Sequence, residues 1–324
     1  MKFINIIDSL ELNGGSTMFL EMVSAMKKYW VEDDIKSYVV SKTGEFGRKG
    51  LVHESFPDHY GVKINKYSYD SFEEEIVPFV KDTVIFHHVL GCTNNIVFDS
   101  SCKYIVINHV AANLKRLLFF NPHKLVCVSS YFAKKCKKVN KIESLVILNG
   151  CEDYYNVKPN QTEKEIIIGR CQRVVPSKFV NENISNKKVI QYIIGPVNMS
   201  KKLLPKKAIL FGPVFDLQQK LSIIKSFDLY LHGASQPEGC SMAILEALSC
   251  GVPVIAKDVG GGIKEIIKPG INGFWYRNTR ELQKIISDLV DNPDKLKKMK
   301  KKAHKDFMKR FHIKRVLDDY REII

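Results

Sequence analysis

A chain of 324 residues, 45 % hydrophobic and 26 % charged, is long enough for two domains with separate cores and too apolar for a disordered protein. No apolar run reaches membrane-spanning length, and the opening MKFINIIDSLELNGG breaks into acids and glycines as a first buried strand does, unlike a signal peptide. The net charge of +15 is uneven: residues 1–150 hold 19 Lys and Arg against 16 Asp and Glu, the remainder 31 against 19, which favours anionic partners.

Short β-prone runs alternate with helical patterns. FINII (3–7) precedes Gly14, Gly15 and Ser16, and TMFLEMVSAMKKYW (17–30) then places apolar residues at helical spacing. SYVV (37–40), TVIF (83–86), YIVI (104–107), KLVCV (124–128) and SLVIL (144–148) read as further strands. Several are apolar throughout, which suits a parallel sheet covered by helices on both faces. The polar, turn-rich NGCEDYYNVKPNQTEKE (149–165) reads as an interdomain connection.

The rhythm restarts with EIIIG (165–169), KVIQYII (188–194), AILFG (208–212), DLYLHG (228–233), VPVIA (252–256) and GFWY (273–276), all strand candidates. Helices are expected near 217–226, 241–250, 261–268 and 279–290, followed by PDKLKKMKKKAHKDFMKRF and IKRVLDDYREII. Short connections at 195–207 and 212–216 make the second domain a trimmed one. The pattern predicts an α/β chain of two doubly wound, Rossmann-like parallel-sheet domains, 1–150 and 151–310. Eight scattered cysteines without a CxxC pair point to reduced thiols in the cytoplasm.

Two glutamates carry the first chemical signal. Glu246 lies inside an apolar helix, where a carboxylate needs partners: the two hydroxyls of a ribose, or a lysine or backbone group. Glu238 precedes Gly239, Cys240, Ser241 and Met242, a loop and helix start that could offer N–H groups to anionic oxygens. Gly14, Gly15 and Ser16 make either a plain turn or a close backbone approach to a diphosphate. In GRCQRVVPSK (169–178), Arg170, Arg173 and Lys178 follow a strand end and make either a diphosphate site or a basic surface loop. Gly260, Gly261 and Gly262 pass beneath a nucleotide or make a tight turn. His109 follows a strand and suits a sugar hydroxyl or phosphate, with His87 and His88 at another strand end. No metal-ligand spacing or acyl-transfer triad is present in the sequence, so no metal is expected.

The stretch EGCSMAILEALSCGVPVIA (238–256) resembles the E-G…E-A…G-x-P-V signature of the retaining GT-B glycosyltransferases of family 4, the glycosyl transferases group 1. GGG-x-x-E-I-I, G-I-N-G-F-W, the Gly-Arg…Lys segment, Asn149-Gly150 and the GGS turn extend the resemblance along nearly the whole chain. It implies two domains facing a central cleft, an acceptor-side domain at 1–150, onto which the C-terminal helix 311–324 packs back, and a nucleotide-sugar-binding domain at 151–310. By the same resemblance Glu246 holds the nucleotide ribose, and Glu238 contacts the donor sugar. Arg170 and Lys178 hold the diphosphate with Arg173 between them, Gly14, Gly15 and Ser16 approach it, and His109 lies near the acceptor side. Gly239, Cys240, Ser241 and Met242 complete the donor-binding set; His109, Glu238, Lys178 and Arg170 are the catalytic candidates. The family generally needs neither a divalent metal nor another cofactor.

The implied activity is hexosyl transfer from a nucleoside-diphosphate sugar, UDP before GDP, to a glycan or lipid-linked saccharide. Base recognition departs most from the family, because residues 195–227 are compressed and Gln236 replaces a different small or polar residue. The basic tail, with 11 basic groups against Asp306 over residues 295–315, KKYW (27–30) and KRLLFF (115–120) suit peripheral attachment to an anionic membrane surface at its cytoplasmic face. Nucleic acid, as in glycosylation of DNA bases, stands second. A nucleotide-sugar epimerase and a noncatalytic nucleotide-sugar-binding protein stay open as alternatives.

Overall fold

The computed structural model describes residues 1–11, 13–41, 55–90, 96–109, 121–160, 165–175, 184–200, 204–205 and 208–324, with backbone alone at Asn140. Packing divides the chain into two units, Met1–Glu152 with Ile313–Ile324, and Asp153–His312.

The first unit is built on β1 (Lys2–Ile7), β2 (Asp34–Ser41), β3 (Asn65–Ser68), β4 (Thr83–Val89), β5 (Lys103–Asn108), β6 (Lys124–Cys127) and β7 (Leu145–Val146). They form one sheet in the order β3-β2-β1-β4-β5-β6-β7, and every pairing is parallel. β4 is buried at all seven positions, as a strand covered on both faces must be, which explains its lack of polar alternation. α1 (Gly14–Tyr29) opens on Asn13, whose side chain accepts from the Ser16 N–H, and closes with Lys27 and Lys28 near its negative end. α2 (Tyr69–Glu75) and α3 (Ser130–Asn140) follow. β3 and α2 are elements that hydrophobic patterning does not mark: NKYS buries no residue fully and YDSFEEE buries only Phe72.

The second unit repeats the architecture with β8 (Ile166–Cys171), β9 (Val189–Ile194), β10 (Ala208–Gly212), β11 (Leu229–His232), β12 (Val254–Lys257) and β13 (Gly273–Tyr276). Their order, β10-β9-β8-β11-β12-β13, is again wholly parallel. α4 (Leu217–Lys225), α5 (Met242–Ser249), α6 (Ile263–Ile266), α7 (Thr279–Val290) and α8 (Pro293–Arg310) connect and cover it. Ile168, Leu229, Leu231, Ile255 and Tyr276 from the sheet pack with Leu282 and Ile286 of α7 and Leu296 and Met299 of α8. α6 is shorter than the expected 261–268 because Gly260 and Gly261 are left-handed, at φ 77° and 84°.

In this unit the sheet grows one way from β8 to β9 and the other way from β8 to β11. Such a reversal opens a crevice at the carboxyl ends of the strands, the usual place for a ligand. α9 (Ile313–Glu322) belongs to the first unit. There Tyr320 meets the Phe86 ring edge-on at 5.6 Å, and Arg321 lies 4.1 Å from the Trp30 ring centroid and ion-pairs with Asp33.

Candidate active site

The carboxyl ends of β8 and β11 gather most of the residues singled out in the second unit. β11 ends at His232, and the loop that follows carries Glu238 before α5 begins. Glu238 keeps 22 % of its side chain exposed, and its Oε2 accepts from Nε2 of His232 at 3.1 Å. Its backbone is held from the other side, where the Gly262 N–H donates to the Glu238 carbonyl at 2.8 Å. A Cβ on Gly261 would stand 2.5 Å from that carbonyl oxygen, so only glycine allows the two loops to lie together.

Gly239 and Cys240 are buried, Ser241 is half-buried, and Met242 is buried as the first residue of α5. Ser241 occupies the N-cap position without a side-chain hydrogen bond into the helix. One turn further on, Glu246 is 2 % exposed. Nζ of Lys220, on α4 and itself 6 % exposed, donates to its Oε1 at 2.6 Å. Among the alternatives read from the sequence, the lysine partner is thus present. Among the described residues it is the one hydrogen bond made by the Glu246 side chain.

This charged pair reaches the end of β8. Burial, with the Glu246 charge adding and Lys220 opposing, pushes the Cys171 thiol up to about 12. Tyr230 donates its hydroxyl to the Cys171 carbonyl at 3.0 Å, and burial, with Cys171, Glu238 and Glu246 adding, keeps that phenol protonated. Arg170 is fully buried on β8, Arg173 is half-buried just beyond the strand, and Lys178 lies outside the described residues. Gly169 has a local packing reason, since a Cβ there would enter the Phe227 ring at 2.0 Å.

The remaining candidates belong to the first unit. Gly14 and Gly15 open α1, and a Cβ on Gly15 would meet the tip of Leu90 at 2.0 Å. The Ser16 hydroxyl is engaged internally, donating to the Ser9 carbonyl and accepting from the Glu11 N–H, both at 3.2 Å. His109, just past β5, stacks on His88 with 3.0 Å between His88 Nδ1 and His109 Nε2. Burial lowers His109 to about 4, and lowers His88 further with help from His109 and His87, so both rings are neutral at pH 7. Among the described residues, no group of three or more His, Cys, Asp or Glu is arranged to hold a metal ion.

Residues 182–306, which hold the Glu238 loop, α5 and the glycine loop, match the family model of the glycosyl transferases group 1. MJ1178, an uncharacterised glycosyltransferase of Methanocaldococcus jannaschii, is 28 % identical over 92 % of this chain and 90 % of its own. Anabaena Alr3699/HepE in complex with UDP and glucose superposes with a TM-score of 0.74 at 15 % identity, covering 100 % of this chain and 99 % of that one. The chain has the GT-B fold, and its residues 182–306 carry the match to the glycosyl transferases group 1. It is also similar in fold to sucrose-phosphate synthase from Thermosynechococcus elongatus, with a TM-score of 0.71 at 12 % identity over 100 % and 98 % of the chains. A shorter match, 40 % identical over 18 % of this chain and 16 % of the other, is to a lipopolysaccharide 1,6-galactosyltransferase of Salmonella typhimurium.

Two functional candidates in the chain escape a reading of the sequence, Lys220 and His232. Both are buried partners of the two signature glutamates. A lysine 26 positions from its glutamate gives no local signal, and a histidine closing an apolar strand looks like core.

Proposed function

We propose that the chain is a retaining hexosyltransferase that takes its sugar from a nucleoside diphosphate, UDP before GDP, and transfers it to a hydroxyl of a glycan or lipid-linked saccharide. The observation that carries this reading is the pair of differently supported carboxylates at the crevice of the second unit. Glu246 is buried against Lys220, and Glu238 is accessible and held by His232. Anabaena HepE, of like fold, has been solved with UDP, with UDP and glucose, and with UDP-glucose, which supports the choice of base.

On this reading the ribose hydroxyls donate to Glu246 and a donor-sugar hydroxyl donates to Glu238. The first-turn N–H groups of α5 and the cations Arg170, Arg173 and Lys178 offset the diphosphate charge. The acceptor oxygen bonds to the anomeric carbon on the face from which the diphosphate departs. As the carbon–oxygen bond to the β-phosphate breaks, the acceptor proton passes to a β-phosphate oxygen. Catalysis then rests on stabilising the departing diphosphate, with no metal or other cofactor in the scheme. Gly14, Gly15, Ser16 and His109 keep the roles that the resemblance assigns them.

A thermal-shift and calorimetric screen of UDP- and GDP-sugars on the wild type and on Glu246→Ala tests the donor site. Stabilisation of the wild type and loss of affinity in the variant are expected; equal affinity in both refutes the ribose assignment. The anomeric configuration of the product, read by NMR, tests retention, and an inverted linkage refutes it.

For the partner surface we favour an anionic membrane, because of how α8 sorts its charges. Its inward-facing charges are paired: Lys300 with Asp228, Asp306 with Lys268 and Arg310, His304 with Asp153. Its outward residues between positions 297 and 309 are Lys297, Lys298, Lys301, Lys302, Lys305, Met308 and Lys309, and none of these lysines has an ion pair among the described residues. Four like-charge pairs at four-residue spacing each cost about 0.2–0.5 kcal/mol, a repulsion that an anionic surface relieves. The stripe runs roughly 18 Å and contains no arginine fork, which suits lipid headgroups better than a base-reading nucleic-acid site. Co-sedimentation with vesicles of phosphatidylcholine and phosphatidylglycerol, lost in Lys298→Glu/Lys301→Glu/Lys305→Glu, is expected; binding to duplex DNA but not to vesicles refutes the choice.

A further inference from the structure

His232 is placed as a support and not as a filler. It ends β11, in register with Ala256 of β12, and is 3 % exposed. Its ring lies on the same face of the strand as Tyr230, with 6.2 Å between ring centroids and 24° between planes. Tyr230 is in turn anchored to the end of β8 through Cys171. A buried imidazole costs desolvation unless its nitrogens are used. Here Nε2 is used on Glu238, while Nδ1 is buried with no hydrogen-bond partner among the described residues. A strand end chosen for packing alone would carry an aliphatic side chain and leave no such atom.

The carboxylate that His232 holds is the accessible member of the dyad, flanked by the exposed Ser235, Gln236 and Pro237. With its peptide fixed by Gly262 and one oxygen fixed by a buried donor, Glu238 has little rotational freedom left.

We infer that His232 is a positioning residue, a buried N–H donor that orients Glu238 toward the donor sugar. This rests on the reading of Glu238 as a donor-sugar ligand. His232 touches no substrate in this role. It fixes Oε2 of Glu238, a carboxylate that keeps 22 % of its side chain exposed, at the angle from which it meets a sugar hydroxyl. The nucleotide half of the donor is held elsewhere, so loss of His232 acts on the sugar and not on UDP.

The test uses the full chain, with UDP and UDP-glucose as probes, and GDP-mannose run beside them. Calorimetry gives the affinities, and release of nucleoside diphosphate gives kcat and KM. In His232→Ala the UDP affinity stays within about twofold, while kcat with UDP-glucose falls about tenfold to a hundredfold, the scale of one charge-assisted hydrogen bond. His232→Gln, whose amide N–H reaches about the place of Nε2, recovers most of kcat. His232→Ala added to Glu238→Ala causes no further loss. Wild-type kcat in His232→Ala, beside a damaged Glu238→Ala, overturns the inference and leaves the donor reading standing. An equal loss of UDP and UDP-glucose affinity that His232→Gln does not rescue shows a merely structural histidine and also overturns it. Wild-type turnover in Glu238→Ala, or no binding of any probe to the wild type, removes the donor reading and this inference with it.

Discussion

Lys220→Met keeps most of the buried stem and deletes only the ammonium that donates to Glu246 at 2.6 Å. The carboxylate left behind is 2 % exposed, too deep for water to replace the lost partner. Removing one member of a buried ion pair typically costs about 3–5 kcal/mol, because the other charge stays unsatisfied. The second unit spans Asp153–His312, 160 residues. At about 2.1 cal/mol/K per residue its unfolding entropy is roughly 0.34 kcal/mol/K, so its midpoint should fall by about 9–15 °C. Differential scanning calorimetry reads this directly. Glu246→Leu/Lys220→Met removes both charges and should recover most of the loss, since apolar replacement of a whole buried pair is often neutral. The double variant should be folded and still fail to bind UDP-sugars, which separates the scaffold role of the pair from its substrate role. A single variant within about 3 °C of wild type, or a double variant no better than the single, refutes the reasoning from buried charge.

Gly261→Ala should cost at least about 2 kcal/mol in urea unfolding, because a left-handed φ of 84° is strained for alanine and its Cβ would meet the Glu238 carbonyl at 2.5 Å. Gly260→Ala, at φ 77° with open space around it, should cost only the strain of about 1 kcal/mol; equal losses in the two variants refute the contact. Acid should weaken the first unit through its buried histidines, His87 lowered to about 3 and His109 to about 4 by burial. Above pH 6.5 they are neutral folded or unfolded; below it the unfolded chain takes up protons that the folded sites refuse, so stability falls as pH falls. Between pH 7 and 5 each should subtract about 2 kcal/mol, and urea midpoints that are the same at both pH values refute this.

The apolar strands β1, β4, β5, β8 and β12 were legible because strands covered on both faces need continuous hydrophobic runs. β3 and α2 were hidden for the opposite reason: NKYS sits at the sheet edge and YDSFEEE offers a single buried side chain. At the candidate site, Glu238, Glu246 and the glycine loop stood out as residue types in improbable settings. Their supports did not. The Lys220–Glu246 pair spans two helices, and His232 faces Glu238 only because the loop after β11 doubles back. Gly14, Gly15 and Ser16 read as a plain turn or a close approach to a diphosphate, and nothing in the sequence shows that the Ser16 hydroxyl ties that turn down at Ser9 and Glu11. Such distinctions depend on where a hydroxyl points, which no spacing rule records.

The docking of α9 has a consequence for biosynthesis. The stretch Asp153–His312 is contiguous and emerges whole from the ribosome, whereas the earlier-made unit waits for Tyr320 and Arg321 to cover Phe86 and Trp30. The half translated first is therefore completed last. Until then it carries an uncovered aromatic face and depends on contacts between the two ends of the chain, the kind that form slowly.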